Sequence, residues 1–400
     1  MTDVDYDPLD PEVMARPTDA YRELRERCPV HLVEGFLPPH YVVSQHDDVD
    51  RILRDPATWS SAQGHGPGIS SNRTLAYCDD PEHGQQRRLV SRAFTPRSVR
   101  EMEPRIEAVA HELIDGFVDD AACDLHERFA TPLPIIVIAE MLGVPTDRRT
   151  DFKRWSDDSV LRLASGDPTS YADSTREFAE FFTAQIADRR AQLAAGHTPP
   201  DDLVTRLVTA EDRGMRLDDA ETLSMIGQLL TAGNETTTSL LLNLVLRLCE
   251  RPELLEELRA DPARCEVAVE ESLRFDSPVL GLWRTPNTEQ ELGGVTIPAD
   301  HKTQVLFSSA NRDPAVWEDP DEFRLDRPLD DVRNHLAFGA GVHFCLGAAL
   351  ARAEGRIGLR ALVERLPGLR LTGEPERIPP FFLWGWRTMP VAWSARTHGR

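Results

Sequence analysis

The chain is poor in lysine and lacks long apolar runs. Of its 45 basic residues only Lys153 and Lys302 are lysines, and such an arginine excess is typical of a GC-rich bacterial genome. The formal net charge of −22 argues against general nucleic-acid binding, which needs a basic surface. The longest apolar runs, such as 135–139, are far shorter than the roughly 20 residues of a membrane span. The sequence therefore predicts neither a nucleic-acid partner nor a membrane protein.

Cysteines are few and scattered. The 6 cysteines include no Cys-x-x-Cys pair, so neither a zinc site nor a disulfide framework is indicated. The acidic segment 1–7 lacks the basic and then apolar pattern of a secretory signal, and we expect a cytoplasmic protein. No repeat or low-complexity linker divides the 400 residues. The sequence predicts one domain over residues 1–400, in which about 1–15 form an N-terminal extension.

Apolar periodicity predicts a mainly α fold with small β-sheets. Short apolar alternations at 40–44 and within 288–306 predict strands. The Gly/Ser-rich segment 60–71 predicts an irregular loop, either functional or simply mobile. The predicted long helices are 99–118, 170–193, 218–250, 252–258 and 262–275.

Residues 338–347 hold one cysteine between closely spaced glycines, in the order Phe-Gly-Ala-Gly-Val-His-Phe-Cys-Leu-Gly. The following alanine-rich segment predicts a helix, so Cys345 stands at or just before a helix N-terminus, where the dipole favours a thiolate. Glycines let the backbone take positive φ and let a flat ligand approach the main chain. This pattern predicts a metal-binding thiolate, and the alternative is an inert buried cysteine.

A second unusual segment, 229–238, lies inside the predicted helix 218–250. Gly233 and the threonines at 236–238 are weak helix formers, and such a sequence tends to kink or open a helix. Glu235 and Thr236 supply an acid and a hydroxyl that can move protons beside a ligand. The alternative is a polar helix face.

Charged pairs at helical spacing occur at two further places. Pro81 suits a first helical turn, and His83 and Arg87 then share one helix face. Glu271 and Arg274 lie one turn apart and can form an ion pair. Each residue taken alone is also compatible with an exposed helix surface.

Together these segments resemble the cytochromes P-450, whose cysteine loop reads Phe-Gly-x-Gly-x-His/Arg-x-Cys-x-Gly. The resemblance spans about residues 10–395. It implies the single-domain cytochrome P-450 fold, with haem b held between the long central helix and the cysteine-loop helix. Cys345 would be the axial thiolate ligand of the iron. The other implied cofactor contacts are His83, Arg87, Ala232, Gly233, Arg284, Phe338, Gly339, His343 and Gly347.

The resemblance also assigns roles to the remaining motifs. The segment 232–236 is similar to the family's oxygen-activation motif, in which Thr236 would bond bound dioxygen or water and Glu235 would relay protons. Glu271 and Arg274, with Arg327 as third member, match a buried triad that holds the fold around the cysteine loop. The turn at 298–301 departs from the family, because Asp300 stands where relatives more often carry glycine.

The function implied is that of a monooxygenase, which activates dioxygen at a cysteine-ligated haem and inserts one oxygen atom, typically by hydroxylation. Electrons would come from a separate ferredoxin or flavodoxin-like donor with its reductase. That donor would dock near the cysteine loop, on Arg88, Arg92, Arg97 and Arg100.

The substrate would be a hydrophobic organic molecule, whose identity the sequence leaves open. By family position its pocket would draw on 60–78, 155–180, Leu230, Asn234, 279–283 and 381–384, although 381–386 also suits core packing. The alternative functions are a haem-thiolate gas or redox sensor and a helical binding protein without haem.

Overall fold

The computed structural model describes residues 4–36, 38–165, 169–379 and 381–394. Its helices include all five long ones predicted from the sequence, with ends that differ by a few residues. The α-helices are α1 (Pro11–Ala15), α2 (Pro17–Arg27), α3 (His46–Arg54), α4 (Glu82–Ser91), α5 (Pro96–Asp115), α6 (Pro132–Met141), α7 (Arg149–Ser165), α8 (Ala172–Ala194), α9 (Leu203–Thr209), α10 (Asp219–Glu250), α11 (Pro252–Ala260), α12 (Cys265–Phe275), α13 (Phe307–Ala310), α14 (Leu329–Val332) and α15 (Ala348–Arg365).

The strands are short and form small sheets, as predicted. The largest sheet has the order β1-β2-β8-β5-β3, in which only β2 and β8 pair in parallel. A second sheet has the order β4-β12-β9, and β6-β7 and β10-β11 are separate pairs. The strands are β1 (Val30–Val33), β2 (His40–Val43), β3 (Trp59–Ser60), β4 (Ala122–Asp124), β5 (Leu282–Pro286), β6 (Gln290–Leu292), β7 (Val295–Ile297), β8 (Thr303–Val305), β9 (Arg370–Leu371), β10 (Glu376–Arg377), β11 (Trp386–Thr388) and β12 (Pro390–Ala392).

Helix α10 is the central element of the main hydrophobic core. Its start is fixed by a capping box, in which Asp218 accepts from the Glu221 N–H and Glu221 accepts from the Asp218 N–H. Its second half is almost entirely buried and packs on α15 and α12. The helix is continuous over 32 residues and runs through Gly233 without a break in its helical backbone.

Helix α15 packs tightly on α10 because two of its residues have no side chain. A Cβ on Gly355 would lie 3.0 Å from the Leu240 side chain, and one on Gly358 would lie 3.0 Å from that of Leu241. This contact fixes the angle between the central helix and the helix that follows the cysteine loop.

The described part of the predicted N-terminal extension packs on the domain. Val4 and Tyr6 are buried in a small core with Tyr21 and Leu24. In the turn before β8, Asp300 adopts a φ of 62°. This is the left-handed conformation that glycine favours and aspartate tolerates. In the part of the chain that the structure describes, we find no helix that is both long and apolar enough to cross a membrane.

Candidate active site

An open face lies in the middle of the central helix. Ala232 is exposed although it stands near the midpoint of α10, whose next turns are buried. One turn later, the Thr236 hydroxyl donates to the Ala232 carbonyl over 2.8 Å. That bond lets threonine remain within a continuous helix and keeps its hydroxyl beside the open face.

Glu235 carries a buried carboxyl oxygen, Oε1, that has no hydrogen-bond partner. Burial raises the pKa of this carboxyl to about 7, the neighbouring Asp157 carboxylate adds to the rise, and Lys153 opposes it. Lys153 and Asp157 form an ion pair of 2.5 Å on α7. A carboxyl whose pKa lies near neutrality is suited to accept and release protons.

The cysteine loop depends on two glycines. Gly339 and Gly341 have φ values of 67° and 69°, and a Cβ on Gly341 would lie 2.5 Å from the Leu53 carbonyl oxygen. Gly347 has a φ of −83°, so it is not required by backbone conformation. Within 4 Å of a Cβ built on Gly339 or Gly347 there is no other described atom, and the loop therefore leaves space beside its backbone.

Cys345 is held at the start of α15, as the sequence predicts. Its N–H donates to the Phe338 carbonyl over 2.9 Å, which closes the loop. Burial raises the pKa of the Cys345 thiol, whereas hydrogen bonds from the backbone N–H groups of Gly347 and Ala348 lower it. The charges of Arg87 and Arg352 act in the same direction as those amides. The loop thus supplies donors to a thiolate sulfur.

A cluster of cations and imidazoles adjoins this loop. The ring centroids of His83 and His343 lie 4.0 Å apart, and Arg87 donates to the Phe344 carbonyl over 2.7 Å. His343 Nε2 and His83 Nδ1 are buried without a hydrogen-bond partner, and the nearest carboxylate oxygen to His83, on Asp80, is 3.7 Å away.

Within this cluster the pKa values of His343 and Arg284 are lowered. Burial and then the charges of Arg284, His83 and Arg87 lower the pKa of His343 to about 2. Burial alone lowers the pKa of Arg284 to about 10, although Asp79 opposes the shift. Buried donors in excess of acceptors indicate that an anion belongs here.

These features fit a flat dianion with a metal at its centre. Ala232 is exposed on α10, and the backbone at Gly339 and Gly347 in the cysteine loop, on either side of the Cys345 thiol, has open space beside it. The adjoining donors at His83, Arg87, Arg284 and His343 match two carboxylates, such as the propionates of a haem. In the described residues no cluster of three or more His, Cys, Asp or Glu side chains offers an alternative metal site.

The predicted triad is present and buried. Arg274 donates to both carboxylate oxygens of Glu271 over 2.8 and 2.7 Å, and both side chains are 0% exposed. Arg327 completes it with a bond of 3.2 Å to Glu271. Arg274 also donates to three backbone carbonyls, at Asn311, Pro320 and Glu322. The triad therefore joins α12 to the segment that leads to the cysteine loop.

Gly233 and Asn234, predicted as cofactor and substrate contacts, do not lie on the open face of α10. A Cβ on Gly233 would approach Ile138 on α6, at 3.8 Å. Asn234 is buried and donates to Ser156 on α7 over 3.0 Å. Leu230 is buried as well. The open face of α10 is therefore narrower than the sequence motif suggests.

The aromatic segment after β10 lies in the core. Phe381, Phe382 and Leu383 form a buried cluster with Trp283 and Val160. This arrangement favours the core-packing interpretation over a wide opening at this place.

Several polar residues of the region escaped the sequence analysis. His65 and Lys302 adjoin the cation cluster, and Arg352 joins the Phe338 ring to Glu270. Glu354 is buried on α15, where Thr237 hydrogen-bonds it and burial raises its pKa to about 8. None of them belongs to a local pattern, because their partners are distant in sequence.

Comparison with known proteins agrees with this geometry. The sequence model of the family Cytochrome P450 matches residues 15–376. Cytochrome P450 monooxygenase PikC of Streptomyces venezuelae is 35% identical, over 99% of this chain and 96% of that protein. Erythromycin C-12 hydroxylase of Saccharopolyspora erythraea is 38% identical, over 87% and 88%. The solved structure of cytochrome P450 CYP109Q5 from Chondromyces apiculatus superposes with a TM-score of 0.89, at 37% identity, over 98% of this chain and 99% of that one.

These relatives are named as a monooxygenase and a hydroxylase, so the sensor alternative is not favoured. A haem with a cysteine thiolate ligand is implied by the family. With the matching family model, relatives and fold, the chain belongs to the cytochrome P450 family and is a haem-dependent monooxygenase.

Proposed function

We propose that Cys345 is the axial thiolate of haem b and that the substrate is a large hydrophobic ring compound of macrolide size. The thiol lies just before α15 in the glycine-containing loop, where the backbone N–H groups of Gly347 and Ala348 donate to it. The observation that carries the proposal is the excess of buried donors around His83 and His343. The whole chain, 1–400, forms the single domain that holds this site.

The other site residues have separate roles in this proposal. His83, Arg87, Arg284 and His343 bind the two propionates: a ring nitrogen of each histidine is buried without a hydrogen-bond partner, and each guanidinium has further N–H groups beyond the one that bonds a backbone carbonyl. Ala232 lets the central helix approach the porphyrin face, where Gly233 contributes its backbone alone because its Cβ position faces α6, and Phe338, Gly339 and Gly347 form the opposite wall. When bound, the haem supplies dioxygen activation and transfer of one oxygen atom to the substrate.

Glu235 and Thr236 supply the protons that this chemistry consumes. Glu235 exchanges its proton near pH 7 and passes it toward the open face of α10. There the Thr236 hydroxyl can accept and donate a hydrogen bond. The buried side of α10 excludes bulk water, so protons arrive through these two groups.

The electron donor is an acidic ferredoxin or flavodoxin-like protein, served by a reductase in the cytoplasm. Arg92 and Arg100 are exposed next to α4 and in α5, and they support this docking place. Arg88 and Arg97 are partly neutralised by ion pairs with Asp212 and Glu101.

The substrate size rests on the relatives, of which one is named as a hydroxylase of erythromycin. Ferric protein would be titrated with a panel of macrolides, steroids and fatty acids while the Soret band is recorded. Displacement of water by a macrolide at micromolar concentration supports the proposal, and a response to fatty acids alone contradicts it. The reduced carbon-monoxide complex of the same sample should show the far red-shifted Soret band of thiolate ligation.

A further inference from the structure

His65 lies in the irregular segment 61–74, and only one of its two ring nitrogens has a hydrogen-bond partner. Its Nδ1 atom is buried and has no hydrogen-bond partner. Its Nε2 atom is 3.4 Å from the Tyr77 hydroxyl, and the two rings lie with centroids 4.5 Å apart. One ring nitrogen is thus accounted for and the other is not.

The surroundings of His65 are basic. Its carbonyl accepts from the Trp283 N–H over 3.2 Å, which places the residue beside Arg284 on β5. Burial and then the charges of Arg284 and Lys302 lower the pKa of His65 to about 4. His65 is also among the groups that lower the pKa of His343. It therefore faces the same space as the cation cluster.

The position of His65 is fixed by its neighbours. Lys302 donates to the carbonyls of Gln63 and Gly64 over 2.9 and 2.8 Å. The Ser61 N–H donates to Asp79 over 2.8 Å. The bonds from Lys302 attach residues 63–64 to the segment before β8, and they hold His65 close to Arg284.

The contact with Tyr77 allows the tautomer in which the ring hydrogen lies on Nδ1. At neutral pH the ring carries one N–H, and a Tyr77 hydroxyl that donates to Nε2 places that hydrogen on Nδ1. An Nδ1–H group among the side chains of Arg284, Lys302 and His343 adds one more donor to a set of donors. A buried donor of this kind needs an acceptor, and an anion can accept from it together with Arg284 and Lys302, which also donate to backbone carbonyls.

We propose that His65 donates its Nδ1–H to a haem propionate beside Arg284 and His343, and so couples the 61–74 segment to haem occupancy. This inference rests on the proposed function and adds a contact that the sequence motifs do not contain. Because His65 adjoins Arg284 and Lys302, a bound haem would restrain the segment through this one contact.

The contact is tested by a double-mutant-type cycle, in which the His65 side chain and the haem propionates are altered separately and together. Holoprotein would be reconstituted with haem or with haem dimethyl ester, and haem loss to excess apomyoglobin would be timed. His65→Phe keeps the ring packing on Tyr77 but has no N–H, and His65→Asn keeps a donor near the Nδ1 position. His40→Phe is the matched control, since His40 is a buried ring on β2 next to Trp283.

With haem, His65→Phe should lose the cofactor roughly tenfold faster than the wild type, the effect of one lost bond to a charged group. His65→Asn and His40→Phe should remain within about twofold of the wild type, since neither loses such a bond. With the dimethyl ester, wild type and His65→Phe should lose the cofactor equally fast. Equal rates of haem loss from wild type and His65→Phe would overturn the contact. So would a ratio of variant to wild-type rates that is the same with the dimethyl ester as with haem.

Hydrogen exchange separates this role from a merely structural one. In the wild type, haem should protect the amides of 61–74, and in His65→Phe that added protection should be absent while the haem-free proteins exchange alike. Faster exchange of the variant without haem would overturn the coupling. If the wild type binds no haem, both the proposed function and this inference fail, whereas a haem-binding wild type with an unaffected variant refutes the inference alone.

Discussion

His83 on α4 and His343 in the cysteine loop place their ring centroids 4.0 Å apart. Both rings have a lowered pKa, mainly through burial, so they meet as neutral donors and do not repel as cations. The pair joins α4 to the loop that carries Cys345.

Replacing Cys345 by serine should abolish the far red-shifted Soret band of the reduced carbon-monoxide complex. An alcohol at this position does not supply the electron density of a thiolate. Cys123→Ser is the control, because burial raises the pKa of Cys123 to about 12 and keeps that thiol protonated. A normal spectrum in Cys345→Ser would refute the assignment of the ligand.

Thr236→Ala should uncouple electron consumption from product formation, and more of the reducing equivalents should end in peroxide. The variant removes the hydroxyl that stands beside the open face of α10. Product and peroxide would be measured per reduced cofactor consumed. Unchanged coupling would place the proton path elsewhere.

Glu235→Gln should remove a pH dependence of that coupling. Because the pKa of Glu235 is about 7, its protonated fraction falls as the pH rises from 6 to 8, and wild-type coupling should fall with it. The glutamine variant should be uniformly poor over this range. A parallel slope in both proteins would contradict the relay through Glu235.

Glu354→Gln should flatten the dependence of stability on pH. The pKa of Glu354 is raised from 4.5 to about 8, so the stability from its protonated form is full below pH 4.5 and is lost by about pH 8. In this window one such group contributes a slope of up to about 1.4 kcal/mol per pH unit. Urea unfolding at pH 5, 6.5 and 8 measures the slope, and equal slopes in variant and wild type would contradict the assignment.

Arg274→Ala should destabilise the fold by about 3–5 kcal/mol, because it leaves the carboxylate of Glu271 buried without its partner. Arg97→Ala is the matched control, since Arg97 pairs with Glu101 across one exposed helix turn. That control should unfold at the wild-type urea concentration. Similar midpoints for both variants would mean that the triad is dispensable.

Arg92→Glu should slow reduction by an acidic ferredoxin at low salt, and the difference should shrink at high salt because the charges are then screened. Arg370→Glu, at an exposed arginine on β9, is the charge-matched control. Stopped-flow reduction kinetics measure both variants. Equal rates at low salt would place the docking surface elsewhere.

The sequence by itself determined the mainly α fold, the long central helix and the setting of Cys345. Such features are local, since helical periodicity, a cap at Asp218 and the glycines at 339 and 341 act within a few residues. It also predicted the pair His83 and Arg87, because four-residue spacing on a helix fixes their common face.

Only the tertiary structure decided which side chains meet. Gly233 and Asn234 turn toward α6 and α7, although their motif gives no sign of it, and the helix stays continuous through them. His65 joins the donor cluster because a backbone bond to Trp283 brings the 61–74 segment against β5. Burial is a property of the packed chain and not of any residue alone. It is burial that raises the pKa of Glu235 and leaves one ring nitrogen of His83 and of His65 without a hydrogen-bond partner.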